Sequence, residues 1–136
     1  NIKVSVIIPV FNACRYIRPA LDSIISQTLS DIEIICVDDG STDTSLDMIK
    51  IYQKMDSRIR IITKTNGGPA LARNNGLARA RGEYLAFLDA DDFYEIDMLE
   101  KLYARAKVGD LDIVIGKYDI YNNRRRKSKV NVKRVL

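Results

Sequence analysis

The chain alternates short apolar runs with segments whose apolar residues recur at helical spacing. The first run, KVSVIIP at residues 3–9, is rich in β-branched residues and almost wholly apolar, which is typical of a strand buried on both faces. Similar runs follow at residues 32–37, 59–63 and 84–88, each leading into a helical pattern. Strands that alternate with helices join through right-handed crossovers. The sequence therefore predicts a three-layer α/β fold, Rossmann-like, with a mainly parallel sheet and helices on both faces.

The helical patterns and two weaker strand patterns complete this prediction. Helices are predicted around Ile17–Ile25, around Leu46–Tyr52, at Ala70–Ala80 after the break at Gly67-Gly68-Pro69, and at Asp97–Lys107. DIVIG at residues 112–116 predicts a fifth strand with an extension to Tyr121, and residues 129–135 predict a short strand. Residues 1–121 are thus predicted to form one domain, and residues 122–136 a basic tail or the start of a missing C-terminal part.

The positive charge of the chain belongs to its last residues. The 136 residues carry a net charge of +4, but seven of the 22 basic residues lie in residues 124–136, which contain no acid. The rest of the chain, with 15 basic and 18 acidic residues, has a net charge of −3. Nucleic acid is therefore not a predicted partner. The tail is predicted to be solvated, with a peripheral membrane contact as the alternative interpretation.

The composition excludes several classes of site. The chain contains no His and two Cys, so a Ser-His or Cys-His nucleophile is excluded and a zinc site is not expected. No apolar run approaches the length of about 18 residues that a membrane-spanning helix needs. Two free thiols fit a reducing compartment.

Carboxylates follow two of the predicted strands at the point where each strand ends. Because ligands bind at the carboxyl ends of parallel strands, these side chains are expected at one edge of the sheet. They are Asp38, Asp39, Asp89, Asp91 and Asp92. Neighbouring carboxylates disfavour one another's ionisation unless a positive charge lies among them. A divalent cation with a diphosphate supplies that charge, and Arg73 is predicted to add a fixed one.

Structural interpretations compete with this one. Asp43 is predicted to cap a helix, as are Ser41 and Thr42. Asp92 either caps a helix or supports the loop, or it belongs to the site. Arg73 could be a solvated helix charge, Phe11 could belong to the core, and Asp38 could serve either purpose.

Four motifs in order resemble family 2 glycosyltransferases with the GT-A fold. They are VSVIIPVFN at residues 4–12, SIISQT at 23–28, VDDGSTD at 37–43 and NGGPALARNNGLARARGEYLAFLDADD at 66–92. The resemblance covers roughly residues 3–120. It implies inverting transfer of a sugar from a nucleotide diphosphate donor, usually UDP-linked, with Mn²⁺ or Mg²⁺. The implied acceptor is a saccharide or a lipid-linked molecule in polysaccharide biosynthesis. The protein is predicted to be cytoplasmic, and the basic tail suggests the inner face of the membrane as the alternative location.

The resemblance also implies roles for individual residues. Pro9 and Phe11 would line the uridine pocket, and Asp39 would accept a hydrogen bond from the base, with Asp38 beside it as a candidate. Arg73 would lie along the uracil or the phosphates.

The resemblance also implies roles for two aspartates after the fourth strand. Asp89 would face the ribose or the metal's coordination shell, and Asp91 would coordinate the metal. These are the two candidate metal ligands of the DXD motif. No catalytic residue is assigned, because none of the acids after Asp92 lies in a recognisable base motif. The chain is therefore predicted to be incomplete, and Ile96 also departs from the family, which often has proline there.

Three other functions are alternatives to a glycosyltransferase. A dinucleotide-binding oxidoreductase needs a glycine-rich turn after the first strand, where this chain has Pro9-Val10-Phe11-Asn12. A phosphoryl-transfer enzyme would use Asp89 as its nucleophile. A nucleotide-binding module without turnover remains the alternative to a glycosyltransferase.

Overall fold

A computed structural model of the chain describes residues 1–118. Its elements, in chain order, are β1 (Val4–Val10), α1 (Ile17–Ile25), β2 (Ile32–Asp38), α2 (Ser45–Met55), β3 (Ile59–Thr63), α3 (Pro69–Leu77), β4 (Tyr84–Phe87) and α4 (Met98–Gly109). The chain divides into two compact units, residues 1–99 and residues 100–136. Among the described residues, no helix combines the length and the apolar character needed to cross a membrane.

The first unit is built on a parallel sheet with the strand order β3-β2-β1-β4. Each neighbouring pair is parallel, so the carboxyl ends of all the strands meet at one edge. The two central strands, β1 and β2, are buried along almost their whole length. This burial explains why their sequences are continuous apolar runs rather than alternating ones.

Helix α3 covers one face of the sheet. Ile7 of β1, Ile35 and Val37 of β2 and Ala72 of α3 form a fully buried cluster on this face. The helix approaches the sheet closely at Gly76, where an added Cβ would lie 2.5 Å from the Cγ2 of Ile7. A side chain at position 76 would push α3 away from β1, and with it the residues that α3 carries to the sheet edge.

Helices α1 and α2 cover the opposite face. Leu21, Ile24 and Ile49 on the inner sides of these helices are fully buried, as are Val6 and Ile34 on the strand positions that alternate with the α3 side. The predicted three-layer α/β fold with helices on both faces is confirmed.

A buried carboxylate fixes the turn that leads into β4. Glu33 accepts hydrogen bonds from Ser5 Oγ at 2.6 Å, from the Arg81 backbone N–H at 2.6 Å and from the Arg60 guanidinium at 2.8 Å. The Gly82 N–H donates to Ser5 Oγ at 2.8 Å. Burial raises the pKa of Glu33, but the hydrogen bonds from Ser5, Arg81 and Arg60 outweigh it and hold the pKa below its usual value. This network lies at the amino end of the sheet and sets where β4 begins.

The second unit corrects one sequence prediction. Helix α4 ends at Gly109, Asp110 follows with φ 47°, and the Leu111 N–H closes the turn on the Ala106 carbonyl at 2.9 Å. Residues 112–116, predicted as a fifth strand, form no strand in the described part of the chain. A strand exists through its ladder of hydrogen bonds, and no described strand pairs with this segment. The predicted extension to Tyr121, the strand at residues 129–135 and the tail at residues 122–136 lie outside the described residues.

Candidate functional site

A cleft of about 680 Å³ opens at the carboxyl edge of the sheet. Its walls come from the loops after β1 and β4, from the end of β2 and from the loop and first turns of α3. Six residues singled out from the sequence line it: Pro9, Phe11, Asp39, Arg73, Asp89 and Asp91. The predicted convergence of these side chains at one edge is therefore what the structure shows.

Asp39 is a buried polar group of the cleft whose carboxylate accepts three hydrogen bonds. Its side chain is almost fully buried, and Oδ1 accepts hydrogen bonds from the Lys64 ammonium and from the Gly67 N–H at 2.9 Å. Oδ2 accepts the Gly68 N–H at 2.9 Å. The hydrogen bond from Lys64, with those from Gly67 and Gly68, lowers the pKa of Asp39 despite its burial. Asp39 thus stays ionised and holds the loop before α3 against the end of β2.

Gly68 makes this arrangement possible. It is the N-cap residue of α3 with φ 93°, a backbone conformation that L side chains rarely adopt. Pro69 follows as the first helical residue, where its missing N–H costs nothing. The break read in the sequence is therefore the point at which the loop turns to present its N–H groups to Asp39.

Asn12 joins the loops after β1 and β2. It has φ 47°, and its Oδ1 accepts the Thr42 N–H at 2.8 Å and the Asp43 N–H at 3.3 Å. Asp43 in turn accepts the N–H of Ser45, the first residue of α2, at 2.9 Å. The cap position itself is Thr44, one residue later than predicted. These contacts fix the wall of the cleft that carries Phe11.

Three carboxylates lie together at the other end of the cleft. Asp89, Asp91 and Asp92 are exposed, and each offers an oxygen within 4.8 Å of the others. Arg73 pairs with Asp89 at 2.6 Å and is the positive charge among them. Partial burial, with the charges of Asp91 and Asp89, raises the pKa of Asp92. A single guanidinium therefore leaves the group with excess negative charge.

The donor set fits a hard divalent cation. Carboxylate oxygens are the ligands that Mg²⁺ and Mn²⁺ prefer, and both ions commonly take one or two of them together with substrate phosphates. Asp92 caps no helix, because α4 begins only at Met98; its N–H bonds the Asp89 carbonyl at 3.0 Å. This turn folds the loop so that the three carboxylates converge.

The structure decides between the competing interpretations of Asp38 and Phe11. Asp38 is buried and does not line the cleft, and its Oδ1 has no hydrogen-bond partner among residues 1–118. Phe11 is 50% exposed at the cleft, so the interpretation of Phe11 as a core residue is wrong. Exposure of an apolar ring beside buried polar groups is typical of a binding surface.

Sequence reasoning missed several residues of the site. Tyr16 and Asn66 line the cleft, and Lys64 holds Asp39 from β3's carboxyl end. Among the residues that form the site, Asn12 alone had a recognisable sequence signal. It follows Phe11 at the end of a predicted strand, and asparagine is suited to the left-handed turn expected there. The residues next to Lys64 in the sequence do not indicate that its side chain is directed inward and pairs with the buried Asp39.

Comparisons with known proteins agree with this geometry. The family described as "Glycosyl transferase family 2" matches residues 5–133, nearly the whole chain. The chain belongs to glycosyltransferase family 2. Among curated members, glycosyltransferase GlyA of Streptococcus pneumoniae is 45% identical over 120 residues, which are 88% of this chain and 17% of GlyA.

Two solved structures share the fold of this chain. Residues 1–349 of TarS from S. aureus, in complex with UDP, superpose with a TM-score of 0.74 at 33% identity, covering 79% of this chain and 32% of that one. Mannosyltransferase PcManGT from Pyrobaculum calidifontis, in complex with GDP-Man and Mn²⁺, gives a TM-score of 0.64 at 29% identity, covering 68% and 28%. The predicted GT-A-type fold is thereby confirmed. The chain spans less than half the length of the curated relatives it matches.

Proposed function

We propose that the cleft binds a nucleotide diphosphate sugar, UDP-linked, together with Mn²⁺ or Mg²⁺. The protein would transfer the sugar with inversion to a saccharide or lipid-linked acceptor. The observation that carries the proposal is one cleft lined by the ionised, buried Asp39 and by Asp89 and Asp91, two of the three clustered carboxylates. The TarS complex with UDP and the PcManGT complex with GDP-Man and Mn²⁺ support the ligand class.

The Asp39 end suits a base that offers an N–H group. Asp39 Oδ1 already accepts two hydrogen bonds, whereas Oδ2 accepts one, from Gly68. A carboxylate oxygen has room for a second, so Oδ2 can accept the N3–H of uracil. Phe11, exposed in the same cleft, offers an aromatic face for the ring. Cytosine carries no proton at N3 and lacks this contact.

The acidic end suits the diphosphate and its cation. Asp91 and Asp89 would hold the cation, which supplies positive charge to the diphosphate as it leaves the sugar. Arg73 lines the same cleft and pairs with Asp89. With the cation bound to Asp89, the guanidinium becomes available to a phosphate oxygen, for which its planar donor geometry is suited.

Inversion is a single displacement at the anomeric carbon. The acceptor oxygen forms the new bond to this carbon as the bond to the diphosphate breaks, and a base takes the acceptor's proton. Within residues 1–99, the acids after Asp92 are Glu95 and Asp97, and neither lines the cleft. This observation favours the second candidate, a nucleotide-binding module without turnover, for the chain taken alone.

Thermal unfolding tests ligand binding directly. At a free concentration of one hundred times Kd, UDP with Mn²⁺ is expected to stabilise the protein by about 2.7 kcal/mol, which raises Tm by roughly 10 °C. UDP with EDTA is expected to give a smaller shift, and CDP with Mn²⁺ is the matched control for the base. If neither UDP nor another nucleotide diphosphate shifts Tm in the presence of Mn²⁺, the proposal is wrong. Release of free sugar from a UDP-sugar then separates turnover from binding alone.

A further inference from the structure

The end of helix α1 and the residues just after it contain polar side chains whose contacts lie outside the cleft. They belong to SIISQT at residues 23–28, one of the four motifs that carry the family resemblance. Ser23 lies in the second half of α1, and Gln27 lies just beyond the helix, which ends at Ile25 with Ser26 as its C-cap. Neither lines the cleft. Both bind the backbone of residues 94–99, the segment that directly follows the acidic loop.

Gln27 makes the central contacts. Its side chain is almost fully buried, and its Nε2 donates to the Glu95 carbonyl at 2.7 Å and to the Ser23 carbonyl at 3.0 Å. Its Oε1 accepts the Leu99 N–H at 3.0 Å. The amide therefore bridges two backbone groups, the Glu95 carbonyl before α4 and the Leu99 N–H in the first turn of α4, whose N–H groups have no partner within the helix. A buried amide with this many bonds to the backbone fixes the path of the segment.

Ser23 and the end of α1 extend the same set of contacts. Ser23 Oγ accepts the Tyr94 N–H at 3.1 Å and donates to the Ala20 carbonyl at 2.7 Å. The Thr28 N–H donates to the Ile96 carbonyl at 3.0 Å. Together, Ser23, Gln27 and Thr28 thus bind the backbone of residues 94–96 at three successive positions.

Tyr94 ties this segment back to the start of the acidic loop. Its hydroxyl donates to the Phe87 carbonyl, the last residue of β4, at 2.5 Å. The Leu88 N–H bonds the Ile7 carbonyl at 3.0 Å, which fixes the front of the loop to β1. The loop at residues 88–93 therefore has both ends fixed, the front by the sheet and the back by helix α1.

We propose that Ser23, Gln27 and Tyr94, here called the α1 clamp, are positioning residues for the carboxylates of Asp89 and Asp91. The inference rests on the proposed function, since it concerns the affinity of that site for its cation. Ligands must be held within about 0.5 Å of the bound geometry for full affinity. Residues that orient metal ligands typically change metal affinity about 10-fold to 100-fold when they are replaced.

Two variants separate this role from a general effect on folding. Gln27→Met keeps the volume and removes the amide, and Ser23→Ala removes one hydroxyl. Isothermal titration with UDP is performed in Mn²⁺ and in EDTA, well below the Tm of each variant. We expect the Kd in Mn²⁺ to rise about tenfold, while the Kd in EDTA stays within about twofold of wild type. Tyr52→Phe is the matched control, because it removes the bond from Tyr52 to Asp22 of the same helix, at 2.7 Å, without touching the loop.

Each outcome decides the matter. A folded Gln27→Met protein that keeps the full effect of Mn²⁺ overturns the inference, and so does an equal loss of affinity in Mn²⁺ and EDTA. If Gln27→Met does not fold, Tyr94→Phe is judged by the same criterion, since it removes only the bond to Phe87. If the wild-type protein binds UDP with the same Kd in Mn²⁺ and in EDTA, the inference about the clamp is wrong, but the proposal that the cleft binds UDP still holds. A wild-type protein that binds no nucleotide overturns the proposed function as well.

Discussion

Asp91→Ala is expected to remove the whole increment in nucleotide affinity that Mn²⁺ provides. Asp91 is exposed at the mouth of the acidic cluster, and unlike Asp89 it is not paired with Arg73. Unlike Asp92, it also lines the cleft, so its carboxylate can bind a cation there without losing an ion pair to Arg73. The Kd for UDP in Mn²⁺ should rise about 10-fold to 100-fold and reach the value measured in EDTA. Isothermal titration of wild type and variant under both conditions measures this difference.

The matched control for Asp91→Ala is Asp47→Ala. Asp47 is an exposed aspartate in the first turn of α2, so its removal changes the net charge equally without altering the cleft. Its Kd values should equal those of the wild type in Mn²⁺ and in EDTA. An Asp91→Ala protein that still binds UDP more tightly in Mn²⁺ than in EDTA, by the wild-type factor, would show that the cation binds elsewhere.

Asp39→Ala is expected to abolish UDP binding whether or not Mn²⁺ is present, and to destabilise the fold. The substitution removes the acceptor for the base and leaves the Lys64 ammonium and the N–H groups of Gly67 and Gly68 without their partner. Losing a buried carboxylate with these contacts costs about 3 kcal/mol, which corresponds to a fall in Tm of roughly 10 °C. Chemical denaturation measures the first effect, and titration with UDP in EDTA measures the second.

Asp56→Ala separates stability from binding in this case. Asp56 pairs with Arg58 at 2.7 Å just before β3, at the end of the sheet opposite the cleft. We expect it to lower stability and to leave the Kd for UDP unchanged. If Asp39→Ala binds UDP as Asp56→Ala does, then Asp39 holds the loop before α3 but does not contact the base.

The sheet could be predicted because its signal is local. The runs at β1 and β2 are almost wholly apolar, which is typical of strands buried on both faces. Their parallel direction follows from the alternation of strands with helices. The convergence of Asp39, Asp89 and Asp91 follows in turn, because parallel strands end at one edge. The prediction needed no knowledge of contacts between distant residues.

The features that could not be predicted depend on contacts between residues that are far apart in the sequence or on the local packing of a side chain. Residues 112–116 have strand composition, but a strand also needs a neighbour, and the described part of the chain supplies none. Lys64 and Gln27 are polar residues in ordinary positions along the chain, and their roles arise only from groups 25 and 68 residues away, Asp39 and the Glu95 carbonyl. Asp38, next to Asp39, is buried outside the cleft because successive strand residues face opposite sides.

Anomalous diffraction from crystals soaked with UDP and Mn²⁺ tests the central claim most directly. The account predicts one manganese peak at coordination distance, about 2–2.5 Å, from the carboxylate of Asp91, bridged to a diphosphate whose uracil lies between Phe11 and Asp39. A manganese peak away from the acidic cluster, or a uracil outside this cleft, would contradict it.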